Sequence, residues 1–216
     1  MSLFITGTDT GVGKTHTAYR LLHLLQASGV SCAGMKAICC GDRRDAELLL
    51  AAGSDGLTID DVNPVWLKTP AAPFVGSLME KVDIDIDHIL SAFHSLQNRV
   101  EQIIVEGTGG WMVPIHRNYF VSDLAVAMEL PVLVVAYNRL GCLNHAALTV
   151  QSVVERGLRC VGLVLNNAQE TGDIAVLTNA DILTKILDVP VLGELGKNLT
   201  ELPADWRFML DSTIDR

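Results

Sequence analysis

Apolar residues in this chain occur in two patterns. Some form short continuous runs, and others recur every three or four positions. The continuous runs at 3–5, 30–36, 102–106, 131–136 and 160–165 predict buried strands, with a last short one at 191–192. The periodic stretches predict helices. Ala18, Leu21, Leu22 and Leu25 fall at i, i+3, i+4 and i+7, and Gly29 offers a stop. Further helices are expected over 45–52, 86–96, 144–156 and 174–187, with Ile86, Ile89, Leu90 and Phe93 sharing one face of the second. Ser122 is placed to cap a helix running to Met128. Residues 53–81 form the least regular stretch, punctuated by Asn63-Pro64 and Pro70-Ala71-Ala72-Pro73. Apolar strands alternating with helices predict an α/β fold. It is a three-layer, doubly wound, mostly parallel sheet with helices on both faces, in one α/β domain over 1–216.

Composition narrows the function. Of 216 residues, 49% are apolar and 19% charged, which excludes a disordered chain. Sixteen basic residues against 25 acidic ones give a net charge of −9, with no basic run. A nucleic-acid partner is therefore not expected. No apolar run nears the ~20 residues of a membrane span, and no leader pattern opens the chain. A cytoplasmic protein without a membrane partner is expected. The five cysteines are odd in number and contain no CxxC pair, as for reduced thiols.

In a parallel sheet, ligands bind at the carboxyl ends of the strands, so the polar residues there matter most. The first strand ends in GTDTGVGKT, residues 7–15. Gly11 and Gly13 let backbone amides approach phosphate, Lys14 reaches the β- and γ-phosphates, and the Thr15 hydroxyl suits Mg²⁺. Five residues rather than four separate Gly7 from Gly13, so the strict P-loop pattern misses by one. Lys36 ends the second strand, either as a lysine snorkelling at the sheet edge or as a second cation for an anionic ligand. Asp45 is a first-turn acid favoured by the helix dipole or a Mg²⁺ ligand. Glu106 ends a strand either solvated or as the second metal-handling carboxylate. ATP with Asp45 and Glu106 gathers more negative charge than two lysines offset. Like charges ~4 Å apart repel by about 4 kcal/mol at an effective dielectric near 20, so a divalent cation is expected. Asn166 and Asn167 follow the strand at 160–165, where an amide can pair with adenine or simply form a turn.

The segments GTDTGVGKT (7–15), GMK (34–36), Asp45-Ala46, VEGTGGWMVPI (105–115), LPVLVV (130–135) and LGCLNHAALT (140–149) together resemble the dethiobiotin synthase family. They run in family order over about two-thirds of the chain. The resemblance implies ATP- and Mg²⁺-dependent conversion of 7,8-diaminononanoate and CO₂ to dethiobiotin in biotin biosynthesis, through a carbamate and a carbamic–phosphoric anhydride. It implies a homodimer with substrate near the subunit interface. Lys36 and Lys14 become the catalytic residues, and Thr15, Asp45 and Glu106 the metal residues. The nucleotide falls to Gly11, Val12, Gly13, Lys14, Thr15, His16, Asp45, Glu106, Gly107, Thr108, Gly109, Asn166 and Asn167. Substrate falls to Thr10, Lys36, Cys40 and the turn Gly141, Cys142, Leu143, Asn144. Ala37 and Cys40 depart from the family, which commonly has Pro after the catalytic lysine and a hydroxyl in the nearby loop. A switch ATPase of the partitioning type, or a related ATP-dependent ligase with an altered substrate, is the alternative.

Overall fold

The computed structural model describes residues 2–167, 174–193, 200–201 and 203–209. Its centre is a six-stranded parallel sheet built from β1 (Leu3–Gly7), β2 (Cys32–Lys36), β5 (Gln102–Glu106), β8 (Val132–Tyr137), β9 (Cys160–Asn166) and β10 (Val191–Leu192). The order across the sheet is β10-β9-β8-β1-β5-β2. The chain runs from β1 out to the β2 edge, returns to β5, then crosses β1 to build the other half. This reversal leaves β1 at the centre, where a doubly wound sheet opens its ligand crevice.

Side chains of successive strand residues pass to opposite faces. Leu3 and Ile5 pack with Ile104, Leu133 and Val135 on the face covered by α1 (Lys14–Ala27). Phe4 packs with Met35, Val105, Val134 and Leu163 on the other face. That second face is covered by α5 (Ile86–Gln97), α6 (Val121–Ala127) and α7 (Cys142–Glu155). The apolar stripe of α1 is buried as its spacing predicts. Gly34 in β2 makes room for it, because a Cβ there would stand 2.7 Å from both Leu22 and Leu49. Leu49 lies on α2 (Arg44–Ala52), and α8 (Ile174–Ile186) follows β9.

The stretch read as irregular holds more structure than its sequence suggests. It contains α3 (Ile59–Val62), β4 (Val65–Leu67) and α4 (Pro73–Glu80), and β4 pairs in parallel with β3 (Ile38–Cys40) beyond the main sheet. A small antiparallel pair, β6 (Pro114–His116) and β7 (Tyr119–Phe120), follows β5. Strands of two or three residues are too short for a period-2 signal. Two expected helix starts shift. Ser122 lies inside α6, and the start is closed instead by Asp123, whose Oδ2 accepts from the Phe120 amide at 2.7 Å. Helix α7 begins at Cys142 rather than Asn144, directly after Gly141. All five cysteines are free thiols, as expected. Among the described residues, no helix is long and apolar enough to cross a membrane.

Candidate active site

The loop from Gly7 to Gly13 carries β1 into α1 at the sheet centre. Gly13 caps the helix with φ 103°, a left-handed conformation that costs glycine nothing. No side chain caps this end, so the first amides of α1 stay available to an anion together with the helix dipole. Gly13 also faces Asn166, whose Nδ2 donates to the Val12 carbonyl at 2.9 Å. A Cβ on Gly13 would fall 2.2 Å from that amide nitrogen.

Strand register then brings the charges together. Lys36 of β2 is the direct neighbour of Glu106 in β5. The Lys36 Nζ donates to Glu106 Oε1 at 2.6 Å and to Asp45 Oδ2 at 3.1 Å. The Thr15 hydroxyl donates to the same Glu106 Oε1 at 2.8 Å. Glu106 is 1% exposed and Lys36 is buried. Neither therefore sits at a solvated sheet edge. Burial works to lower the Lys36 pKa, but Glu106 and Asp45 outweigh it and hold the ammonium above the ordinary lysine value. Lys14 is the opposite case. Burial first and the Lys36 charge second pull it down to about 8, with Glu106, Asp45 and Asp9 offsetting part of the fall. Its Nζ donates to the Asp9 carbonyl at 3.0 Å, folding the lysine over its own loop.

A cavity of about 640 Å³ opens over these groups. Thr10, Gly11, Gly13, Lys14, Thr15, Lys36, Cys40, Asp45, Glu106, Thr108 and Gly109 line it. Chain segments 91 residues apart thus meet within one hydrogen bond. Burial pushes the Cys40 thiol up to about 11, Cys39 adds to this, and Lys36 opposes it. The Thr108 hydroxyl donates to the Ile38 carbonyl at 2.5 Å and joins the loop after β5 to β3.

Other expected residues stand outside the cavity wall. Val12 is buried and contributes its carbonyl to Asn166. Gly107 donates its amide to the Ile5 carbonyl at 2.9 Å and packs on Phe4 and Val121. His16 lies half-buried on α1. The Asn167 Oδ1 accepts from Asn138 at 2.7 Å. Gly141, Cys142, Leu143 and Asn144 start α7 away from the cavity, with Cys142 buried and Asn144 exposed. Sequence reading missed the wall of Pro70, Ala71, Ala72 and Pro73, which it took for turn punctuation, and Asp42 beside it. It also missed Asn63, fully buried beneath Lys36, where its Nδ2 donates to the Lys36 carbonyl at 2.8 Å.

Thr15, Asp45 and Glu106 offer hydroxyl and carboxylate oxygens, the donor type Mg²⁺ prefers. Glu106 Oε2 is buried without a hydrogen-bond partner among the described residues. A buried carboxylate oxygen left unpaired is costly, and a hard cation beside it removes the cost. The residues fit the metal.

A capless helix start, a glycine loop and a second lysine held over paired carboxylates define a P-loop enzyme that handles a nucleotide phosphate. Residues 1–201 match the family described as an AAA domain. The "ATP-dependent dethiobiotin synthetase BioD" of Akkermansia muciniphila is 43% identical over 194 residues, covering 90% of this chain and 91% of that one. The protein of the same name from Endomicrobium trichonymphae is 38% identical over 200 residues, covering 91% and 92%. Among solved structures, the septum site-determining protein MinD of Pyrococcus horikoshii, complexed with Mg-ADP, superposes with a TM-score of 0.56. That likeness has 17% identity, covers 90% of this chain and 82% of that one, and shows the shared fold alone. The chain belongs to the ATP-dependent dethiobiotin synthetase family.

Proposed function

We propose that this protein is a single-domain cytoplasmic enzyme that uses ATP to join CO₂ to 7,8-diaminononanoate and close the ureido ring of dethiobiotin. The observation that carries this reading is Lys36, held between Glu106 and Asp45 on the floor of the cavity that the phosphate loop enters. Two anions must meet in the reaction, the substrate carbamate and the γ-phosphate. A buried ammonium that stays protonated suits that meeting better than a general base does.

One substrate amine first takes up CO₂ as a carbamate. A carbamate oxygen attacks the γ-phosphorus, the bond to the bridging oxygen of the β-phosphate breaks, and ADP leaves. The second amine attacks the carbamoyl carbon, the C–O bond to phosphate breaks, and phosphate departs as the ring closes. The amides from Gly11 to Thr15 and Lys14 hold the phosphates in line. An arriving polyanion strengthens the Lys14 charge that burial disfavours. Lys36 stabilises the charge gathering on the transferred group and takes no proton. Thr10 and Cys40 place the diamine. Thr15, Asp45 and Glu106 would hold Mg²⁺, which supplies the positive charge that the lysines alone lack. Asn166 and Asn167 read the nucleobase, and His16, Val12, Gly107, Thr108 and Gly109 complete the nucleotide's surroundings. The Gly141–Asn144 turn receives the substrate carboxylate from a second subunit of a homodimer. No nucleic acid or membrane takes part.

The test is a turnover assay with diaminononanoate, bicarbonate and Mg-ATP, following dethiobiotin and phosphate together. Equal appearance of both products supports the reading. Phosphate release that ignores the diamine would indicate a switch ATPase, and nucleotide binding with neither product would indicate an altered substrate.

A further inference from the structure

We propose that Arg43 and Asn63 form a bracket that sets Lys36 and Asp45 in register, which makes both positioning residues for the reaction; this rests on the roles given to Lys36 and Asp45 above. Asp45 needs such a device. Its side chain is 45% exposed yet must reach Lys36 at 3.1 Å, so its place depends on where α2 begins. Arg43 is the residue that opens α2, and its carbonyl accepts the first helical bond from the Glu47 amide at 3.0 Å.

The Arg43 guanidinium is tied on three sides. Its Nε donates to Asn63 Oδ1 at 2.7 Å, and Nη2 donates to the Asn63 carbonyl and to Asp60 Oδ1, each at 2.8 Å. Its central carbon, Cζ, lies 5.3 Å from the centre of the Trp66 ring. Asn63 is fully buried, and its remaining donors go to the carbonyls of Lys36 at 2.8 Å and Val65 at 2.9 Å. One hydrogen-bonded path therefore runs from the Lys36 backbone through Asn63 and Arg43 to the first turn of α2, and closes on itself through the Asp45–Lys36 ion pair. The path is made of bonds to buried main-chain carbonyls and a planar fork, which fixes angles as well as distances. Arg43 is not part of the cavity wall around Lys36, so it acts through its neighbours and does not touch substrate.

Small displacements of a reacting group cost large factors in rate, which sets the size of the effect. Arg43→Met keeps the stem over Trp66 and removes the fork, and Arg43→Lys keeps the charge near Asp60 without the second bond to Asn63. Both are expected to lower kcat for dethiobiotin formation by about tenfold, with Mg-ATP affinity within about twofold of the parent. The decisive readout is a double-mutant cycle with Asp45→Asn. If Arg43 acts by positioning Asp45, Arg43→Met has little further effect on kcat in the Asp45→Asn background. Lys36→Ala and Asp45→Asn alone serve as references. Normal turnover in both would overturn the roles of Lys36 and Asp45, and this inference with them. Slow reference variants beside normal Arg43 variants would overturn the bracket alone. Additive losses in the cycle, with a lowered melting temperature, would also overturn it, because they mark a general structural role.

Discussion

Two helices of this protein begin in the same way and end up doing different work. Both α1 and α7 have 14 residues, start on a left-handed glycine, and have no side-chain cap. Gly13 has φ 103° and Gly141 has φ 91°. By local chemistry alone both are anion-binding helix ends. Around Gly13 the fold gathers Lys14, Lys36 and Glu106 about a cavity of about 640 Å³. Around Gly141 it supplies open surface, with Leu140 80% exposed and Leu148 60% exposed. A Cβ on Gly141 would meet nothing closer than 3.9 Å, whereas on Gly13 it would strike Asn166. On the proposed reading, a helix N-terminus becomes a reaction site where strand register delivers fixed charges to it.

The largest effect should come from removing such a charge. Lys36→Ala is expected to lower kcat by roughly 10²–10³-fold, the scale of deleting one preorganised electrostatic group. It also leaves Glu106 buried and unpaired by lysine, so stability should fall by about 3 kcal/mol unless Glu106 takes a proton. Turnover and thermal melts measured together separate the two losses. Retained turnover would mean that the helix end and its loop suffice.

The glycines break the comparison more directly. Gly13→Ala combines strain at positive φ with overpacking against Asn166, and should cost about 2–4 kcal/mol and most nucleotide binding. Gly141→Ala has only the strain, about 1 kcal/mol, and should leave nucleotide binding intact while raising KM for the diamine. Equal effects in denaturant unfolding and nucleotide titration would erase the distinction.

Thiol chemistry probes both ends at once. Cys40 lines the first site and Cys142 opens the second helix. A helix N-terminus ordinarily lowers a thiol pKa, yet burial raises Cys142, with Arg139 opposing, and raises Cys40 to about 11. The thiolate is the disfavoured form. At pH 8, Cys40 should therefore alkylate roughly a hundredfold more slowly than an ordinary thiol, and speed up as pH climbs towards 11. Mass-spectrometric labelling against pH reads this, and fast labelling of Cys40 at neutral pH would contradict the upward shift.

Chelation sharpens the contrast last. EDTA should weaken ATP binding by about tenfold or more, because the carboxylates then repel the phosphates. On the proposed reading, binding of the substrate carboxylate at the Gly141 turn should not change. Equal ATP affinity with and without EDTA would remove the metal role from Asp45 and Glu106.

Much of this was legible along the chain. Continuous apolar runs place the strands because a sheet covered on both faces admits few polar residues, and the glycine loop announces its own chemistry through local spacing. Lys36, Asp45 and Glu106 were visible as strand and helix ends, each with a bland alternative. Register brought the three together, since only pairing of β2 with β5 sets Lys36 beside Glu106. The cap of α6 was misread because Ser122 and Asp123 are both capping types, and only the backbone path selects between them. Asn63 looked like turn punctuation before Pro64. Its role exists only because β3 and β4 pair outside the main sheet, in strands too short to leave a pattern.

The sequence by itself therefore determined the class of fold, the phosphate loop and the family. These depend on periodicity and on residues close together along the chain. Only the tertiary structure decided that Lys36 is buried and charged, that Asn166 leans on the phosphate loop, and that Asn63 and Arg43 stand behind the ion pair. Those are facts about burial and about contacts between residues tens of positions apart, and desolvation and hydrogen-bond geometry have no counterpart in a linear pattern.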